Sequence, residues 1–235
     1  MLPKIKHPTF EIKIPSTGKK ELFRQFLVRE EKVLLMAKSS EDPADVFRSV
    51  KQVVNNCAIS DKFDADKLTM FDLEYLFLKL RALSVSNIVK VTYRDNEDQK
   101  TYDFAIDLDK VEVLFPEGVE KTVKINDRIG LVMKYASASL LDDNEFLNSG
   151  DDSYYELIIR CVDKIYDGET VYEASDVPKE ELESFLDDLD VKVFEKIQQF
   201  MSATPKLYHK IEYKNENGND RVIELSTLTD FFTLG

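Results

Sequence analysis

Two histidines, two cysteines and forty-five carboxylates are the groups with which this 235-residue chain could do acid–base, nucleophilic or metal chemistry. Their spacing supports none of these. His7 lies near the start and His209 in the last hairpin pattern, and neither sits in a motif that supplies a nucleophile with its orienting acid. Cys57 and Cys161 fall among apolar residues at helical spacing and read as buried free thiols; no CxxC offers zinc a site. The stretch PSTGKKEL has the glycine and lysines of a phosphate loop without the GxxxxGK[ST] spacing, and Gly18 serves a hairpin turn more simply. DKFDADKLTMFD and DDNEFLNSGDDS are acidic but lack the alternate-residue ligands and central glycine of a calcium loop. Paired carboxylates in so acidic a chain carry no information about hydrolysis. The expectation is therefore no catalytic residue, no cofactor and no metal: a protein that is not an enzyme.

The composition, 43% hydrophobic and 33% charged, is that of a globular protein with enough chain to bury a core. No run of eighteen apolar residues exists and MLPKIKHPTF lacks the apolar centre of a signal peptide, so a cytoplasmic chain without a membrane span is expected. The net charge of -13 is uneven: residues 1–40 carry nine Lys/Arg against four Asp/Glu, residues 141–190 three against seventeen. Such a back half repels nucleic acid and anionic membranes, and nucleic acid is not an expected partner. The basic start and acidic back half suit contacts between copies, or a basic partner.

Elements that would position any site follow from periodicity. Phe10, Ile12 and Ile14 alternate as a strand, Pro15–Gly18 turn, and Leu22, Phe23, Phe26 and Val28 return. REEKVLLMAKSS is helical, and a second helix opens near Pro43 behind Ser40 and Asp42, with Val46, Val50, Val53, Val54 and Cys57 on one stripe. Strands are expected at 88–93 and 102–106, extended chain to Phe115, and one or two strands in KTVKINDRIGLVMKY. Helical spacing then covers 137–201, with Tyr154, Ile158, Cys161, Val162 and Ile165 on one stripe. Leu182, Phe185, Leu186, Leu189, Val193, Ile197 and Phe200 make another, opened by Asp176 and Pro178. A hairpin turning at Asn217–Gly218, a type I′ signal, closes the chain, and VTYRDNEDQKTY echoes IEYKNENGNDRV without amounting to a repeat. Strands and helices come in blocks, which predicts an α+β fold of antiparallel hairpins and small sheets packed with helices. The expected division is an N-terminal region 1–136 and a helical region 137–235 closed by the hairpin, or one continuous domain.

The helix in TMFDLEYLFLKLRALSVSN is apolar on two sides. Leu73, Leu76, Phe77 and Leu80 share one face, Phe71, Tyr75, Leu78 and Ala82 the other, with Asp72 and Lys79 in one seam and Glu74 and Arg81 in the opposite one. Burying the second face is worth about 5 kcal/mol or more. The helix is either sandwiched within its own chain or offers that face to a partner.

FDLEYLFLKLRALSVSN resembles a segment of the baseplate hub assembly proteins of T-even-type tailed bacteriophages. So do LPKIKHPTFEIKIPSTGKKELFRQFLVREEKVLLMAK, LIIRCVDKIYDG at 157–168, and TPKLYHKIEYKNENGNDRVIEL with LTDFF near the end. The resemblance implies an assembly chaperone or scaffold made in the host cytoplasm, with baseplate hub or tail proteins as partners and no catalytic residues. Within the family some members promote hub assembly and others are hub subunits of the virion baseplate; both readings stay open, as does an acidic decoy for a nucleic-acid-binding host protein. A cell-wall hydrolase would need an acid and nucleophile that the sequence does not offer. For an assembly factor, Phe71, Tyr75, Leu78 and Ala82 are the expected apolar anchor, and Asp187, Asp188 and Asp190 the expected charged rim. Homo-oligomers are compatible with this reading.

Overall fold

Alternating apolar residues at the start resolve into β1 (Thr9–Lys13) and β2 (Lys20–Arg24), paired antiparallel with Phe10 opposite Phe23. The computed structural model describes residues 3, 5–38 and 43–231. The chain continues through α1 (Val28–Lys38), α2 (Pro43–Cys57), α3 (Met70–Ser84), β3 (Ile88–Arg94), β4 (Thr101–Asp107) and β5 (Glu112–Leu114). Next come β6 (Thr122–Lys124), β7 (Ile129–Met133), α4 (Asn144–Leu147), α5 (Ser153–Cys161), β8 (Val162–Asp167) and β9 (Thr170–Glu173). Last are α6 (Lys179–Asp187), α7 (Val191–Ser202), β10 (Lys206–Lys214) and β11 (Asp220–Leu225). All strand pairs are antiparallel, and the fold is α+β. Val28, expected in the returning strand, instead opens α1. The start signals Ser40 and Asp42 lie outside the described residues, while Val50, Val53, Val54 and Cys57 of α2 are buried as a stripe.

Two compact units form, Met1–Leu114 with Lys206–Gly235, and Phe115–Pro205. The expected boundary after residue 136 falls inside the second unit, because β7 pairs with β8 (Leu131 opposite Ile165) and ties both sides of residue 136 into one sheet. The closing hairpin joins the first unit through β5, Leu207 opposite Val113.

In the first unit β2 ends in Arg24, enclosed with Glu30. The guanidinium donates to both carboxylate oxygens at 2.9 and 3.0 Å, to the carbonyl of Asn56 at 2.7 Å and to the Cys57 sulfur at 3.6 Å. Glu30 accepts in turn from the Leu27 N–H at 2.8 Å, half of a capping box on α1. Burial by itself would raise the Glu30 pKa; the donors Arg24, Arg29 and Leu27 hold it at about 2. One ion pair therefore joins β2, α1 and the end of α2.

The sequence echo becomes a contact. The turns of β3–β4 and β10–β11 meet, with fully buried Asp95 accepting from the Tyr213 hydroxyl and from Arg221 Nε at 3.1 Å. Arg221 also reaches Glu97 at 3.0 Å, and the Glu216 N–H donates to the Tyr102 hydroxyl at 2.7 Å. Burial, then the bond to Asp95, pushes the Tyr213 hydroxyl up to about 12, which keeps it a donor. The last turn is not type I′: in it Gly218 alone has positive φ, at +83°, and the loop closes through Asn215 N–H to Asn219 O (3.1 Å) and Gly218 N–H to Asn215 O (2.9 Å). The Asn215 side chain accepts from the Asn219 N–H at 2.9 Å and favours this longer loop.

In the second unit the order β6-β7-β8-β9 makes one sheet. Val123, Leu131 and Ile165 on one face share a core with Ile158 of α5, Leu186 of α6 and Ile197 and Phe200 of α7. Val162 and Ile165, expected on a helical stripe, belong to β8: the helix ends at Cys161 and the chain turns back at Asp167–Thr170, with Gly168 at φ +61° as in a type II′ hairpin. The stripe from Leu182 to Phe200 is likewise two helices, because Asp190 caps α7 by accepting from the Val193 N–H at 3.0 Å. Pro178 does precede α6. On the sheet's other face Tyr166 lies across Gly130, where a Cβ would fall on its ring and hydroxyl.

Arg24→Leu takes the bidentate donor from the buried Glu30 carboxylate and leaves it only Arg29 and the Leu27 N–H, with an expected loss of about 3 kcal/mol. Urea unfolding checks this. Adding Glu30→Met should return a substantial part of the loss, because the penalty comes from the stranded charge.

Candidate interaction surfaces

Thr69 caps α3: its hydroxyl accepts from the Asp72 N–H at 3.3 Å and donates to the Asp72 carboxylate at 2.7 Å. Asp72, buried, also takes the Ser16 N–H of the first hairpin turn at 2.9 Å. In the opposite seam the Glu74 carboxylate takes the Leu228 N–H, near the end of the described chain. Lys79 donates to the carbonyls of Leu108 and Asp109, both at 2.8 Å. On the first face Phe77 packs on Phe26, ring centroids 5.8 Å apart, beside buried Leu73, Leu76 and Leu80. On the second, Phe71 is 2% and Leu78 0% exposed, while Tyr75 and Ala82 are half-buried. Phe71 and Leu78 are thus core, enclosed by the chain's own elements, and present no open anchor. Asp72, Glu74 and Lys79, three of the charges that sequence reading assigned to seams, tie α3 to its covers.

Asp187, Asp188 and Asp190 belong to the other unit, where all three are exposed at the corner between α6 and α7. Asp187 accepts from the Tyr155 hydroxyl at 2.8 Å, Asp188 ends α6 and Asp190 caps α7. Val191, 74% exposed, stands beside them and gives the corner an apolar centre. Sequence reading passed over the two cations that organise this acidic unit. Arg160 meets Asp143 at 2.6 Å and also Glu156; Lys179 meets Glu156 at 2.8 Å and also Glu145. The signal was present, since residues 141–190 hold only three basic side chains among seventeen acids. Bonds from Arg160 hold the Asp143 carboxyl below its usual range against the effect of burial. Arg160, Lys179, Lys134 and Ser175 rim an open hollow of about 270 Å³ floored by Ile159 and Leu182.

A family model described as T4 bacteriophage base plate protein matches residues 7–233. The chain belongs to that family. No curated protein and no solved structure matches it.

In this baseplate protein both cysteines are buried and His209 is half-buried. Burial pushes the thiols of Cys57 and Cys161 up to about 11, and burial, followed by Lys110, pushes His209 down. Among the described residues no group of three His, Cys, Asp or Glu could hold a metal ion, and no helix is long and apolar enough to cross a membrane.

Burial, with Asp230 adding to it, pushes the Glu74 carboxyl up to about 7, against the pull of the Leu228 N–H. Its folded pKa exceeds the unfolded value, so this group's contribution is fully present below about pH 4.3 and is lost as pH rises through 7. Glu74→Gln should flatten the stability profile between those limits, by up to about 3 kcal/mol across the window. Parallel curves for both proteins in urea titrations would refute this. Leu78→Ala should cost about 2–5 kcal/mol as a core truncation.

Proposed function

We propose that this baseplate protein is a non-enzymatic assembly factor for the hub of a contractile phage tail, working through protein–protein contacts in the infected cell. The family match over residues 7–233 carries the reading. The resemblance of four segments to hub assembly proteins supports the finer role. The contact surface is the acidic corner, where Val191 supplies an apolar contact and Asp187 and Asp188 the surrounding charge. Its partner surface is basic and proteinaceous; nucleic acid is disfavoured by the chain's charge of -13.

Pull-down of the tagged chain from infected cells, beside mass spectrometry of purified mature particles, tests the proposal. Hub proteins in the pull-down with the chain absent or substoichiometric in particles is the expected result. A fixed stoichiometry in particles would instead make it a retained structural subunit. At the contact surface, Asp188→Lys should weaken capture of hub proteins several-fold while stability changes by no more than about 0.5 kcal/mol. Capture at the wild-type level would remove the corner from the interface.

A further inference from the structure

The sheet of the second unit has two open edges of opposite charge. Its order is β6-β7-β8-β9, and among the described residues neither β6 nor β9 has a strand on its outer side. Every residue of β9 is exposed, as are Thr122 and Lys124 of β6. Open edges are sites of strand addition unless something blocks them.

The backbone phase of each edge is set by the pairs inside the sheet. Met133 N–H donates to Lys121 O and Ile125 N–H to Ile129 O, so residues 121, 123 and 125 bond inward and Thr122 and Lys124 aim their N–H and C=O outward. At the other edge the hairpin closes on the pair Asp167–Thr170; Thr170 and Tyr172 then bond inward, and Val171 and Glu173 face out. Each edge therefore offers two outward-facing residues with the same spacing.

The side chains differ where the backbones match. Residues 121–125 read KTVKI, with two lysines and no acid; residues 169–173 read ETVYE, with two glutamates and no base. Glu120 precedes the first stretch and Lys164 pairs with Glu173 at 2.9 Å, so neither edge is a bare charge, but the signs remain opposite. We infer that this chain associates head to tail with a second copy of itself, β9 of one copy adding antiparallel to β6 of the next.

In that register Thr122 stands opposite Glu173 and Lys124 opposite Val171, which puts Lys124 diagonally across from Glu173 on the same face. On the core face the row Val123, Leu131, Ile165, Tyr172 continues into Val123 of the next copy, and Tyr172, 48% exposed, gains an apolar neighbour. Pairing β9 with β9 would set glutamates against glutamates, and β6 with β6 lysines against lysines. The sheet has four antiparallel strands, an even number, so the next copy enters in the same orientation as the first. The contact is heterologous, leaving an edge free at each end of the pair. It is also short, and the association is weak and concentration-dependent.

Sedimentation velocity of the full chain over a concentration series, at low and high salt, reads this out. Mass should rise with concentration and fall back as salt screens the lysine–glutamate contacts. Lys124→Glu and Glu173→Lys, both at exposed positions, should each give folded chains that stay monomeric; circular dichroism verifies the fold. Mixed one to one, the two variants should associate again, because each keeps the edge that the other has lost. Wild-type chain that stays monomeric at its solubility limit, variants that associate like wild type, or a mixture that remains monomeric would each overturn the inference.

Discussion

A helix that is apolar around its circumference can exist in water only if neighbours cover it from every side. That constraint organises the first unit. α3 brings two greasy faces and two charged seams, and the seams cannot be buried unless each charge finds a donor or an acceptor. Asp72 takes a backbone N–H from the first hairpin, Glu74 one from the chain's last described segment, and Lys79 two carbonyls before β5. Elements from both ends of the sequence therefore converge on one helix. The Arg24–Glu30 pair is a second instance of the same rule, with a buried charge satisfied by a bidentate partner and by the cap of α1.

The local pattern was legible wherever the residues admit a single reading. The β1–β2 alternation, the valine stripe of α2 and the two-sided character of α3 all appear as the spacing implies. It failed where two periods coincide. Val162 and Ile165 are three apart, which suits a helical face, yet the same residues serve β8 because Asp167–Gly168 turns the chain directly afterwards. The break between α6 and α7 was hidden because Leu182, Leu186, Val193 and Ile197 enter one core even though Asp190 restarts the helix. Asn217–Gly218 suggested a two-residue turn, and a side-chain bond from the Asn215 region decided for a longer one.

Whether the second face of α3 was core or docking surface could not be read from sequence, since covering elements are chosen by long-range contacts. β5 and β10 are separated by some ninety residues and pair edge to edge. The charged positions fared differently. Asp187, Asp188 and Asp190 are exposed, as acids usually are, but each also has local work at a helix end or on Tyr155. The cations Arg160 and Lys179 tie together other acids of the same unit, Asp143, Glu145 and Glu156.

The pairing of Lys206 with Leu114 has a consequence for synthesis. The residues that complete the first unit leave the ribosome only after the whole second unit has been made. Until then α3 lacks β10 and the Leu228 segment, and part of its apolar surface stands uncovered. The second unit is contiguous and can close early; the first must wait for the tail of the chain. Maturation is therefore ordered from the inside of the sequence outward, and a chain cut short just after residue 205 carries one finished unit and one sticky, half-built one.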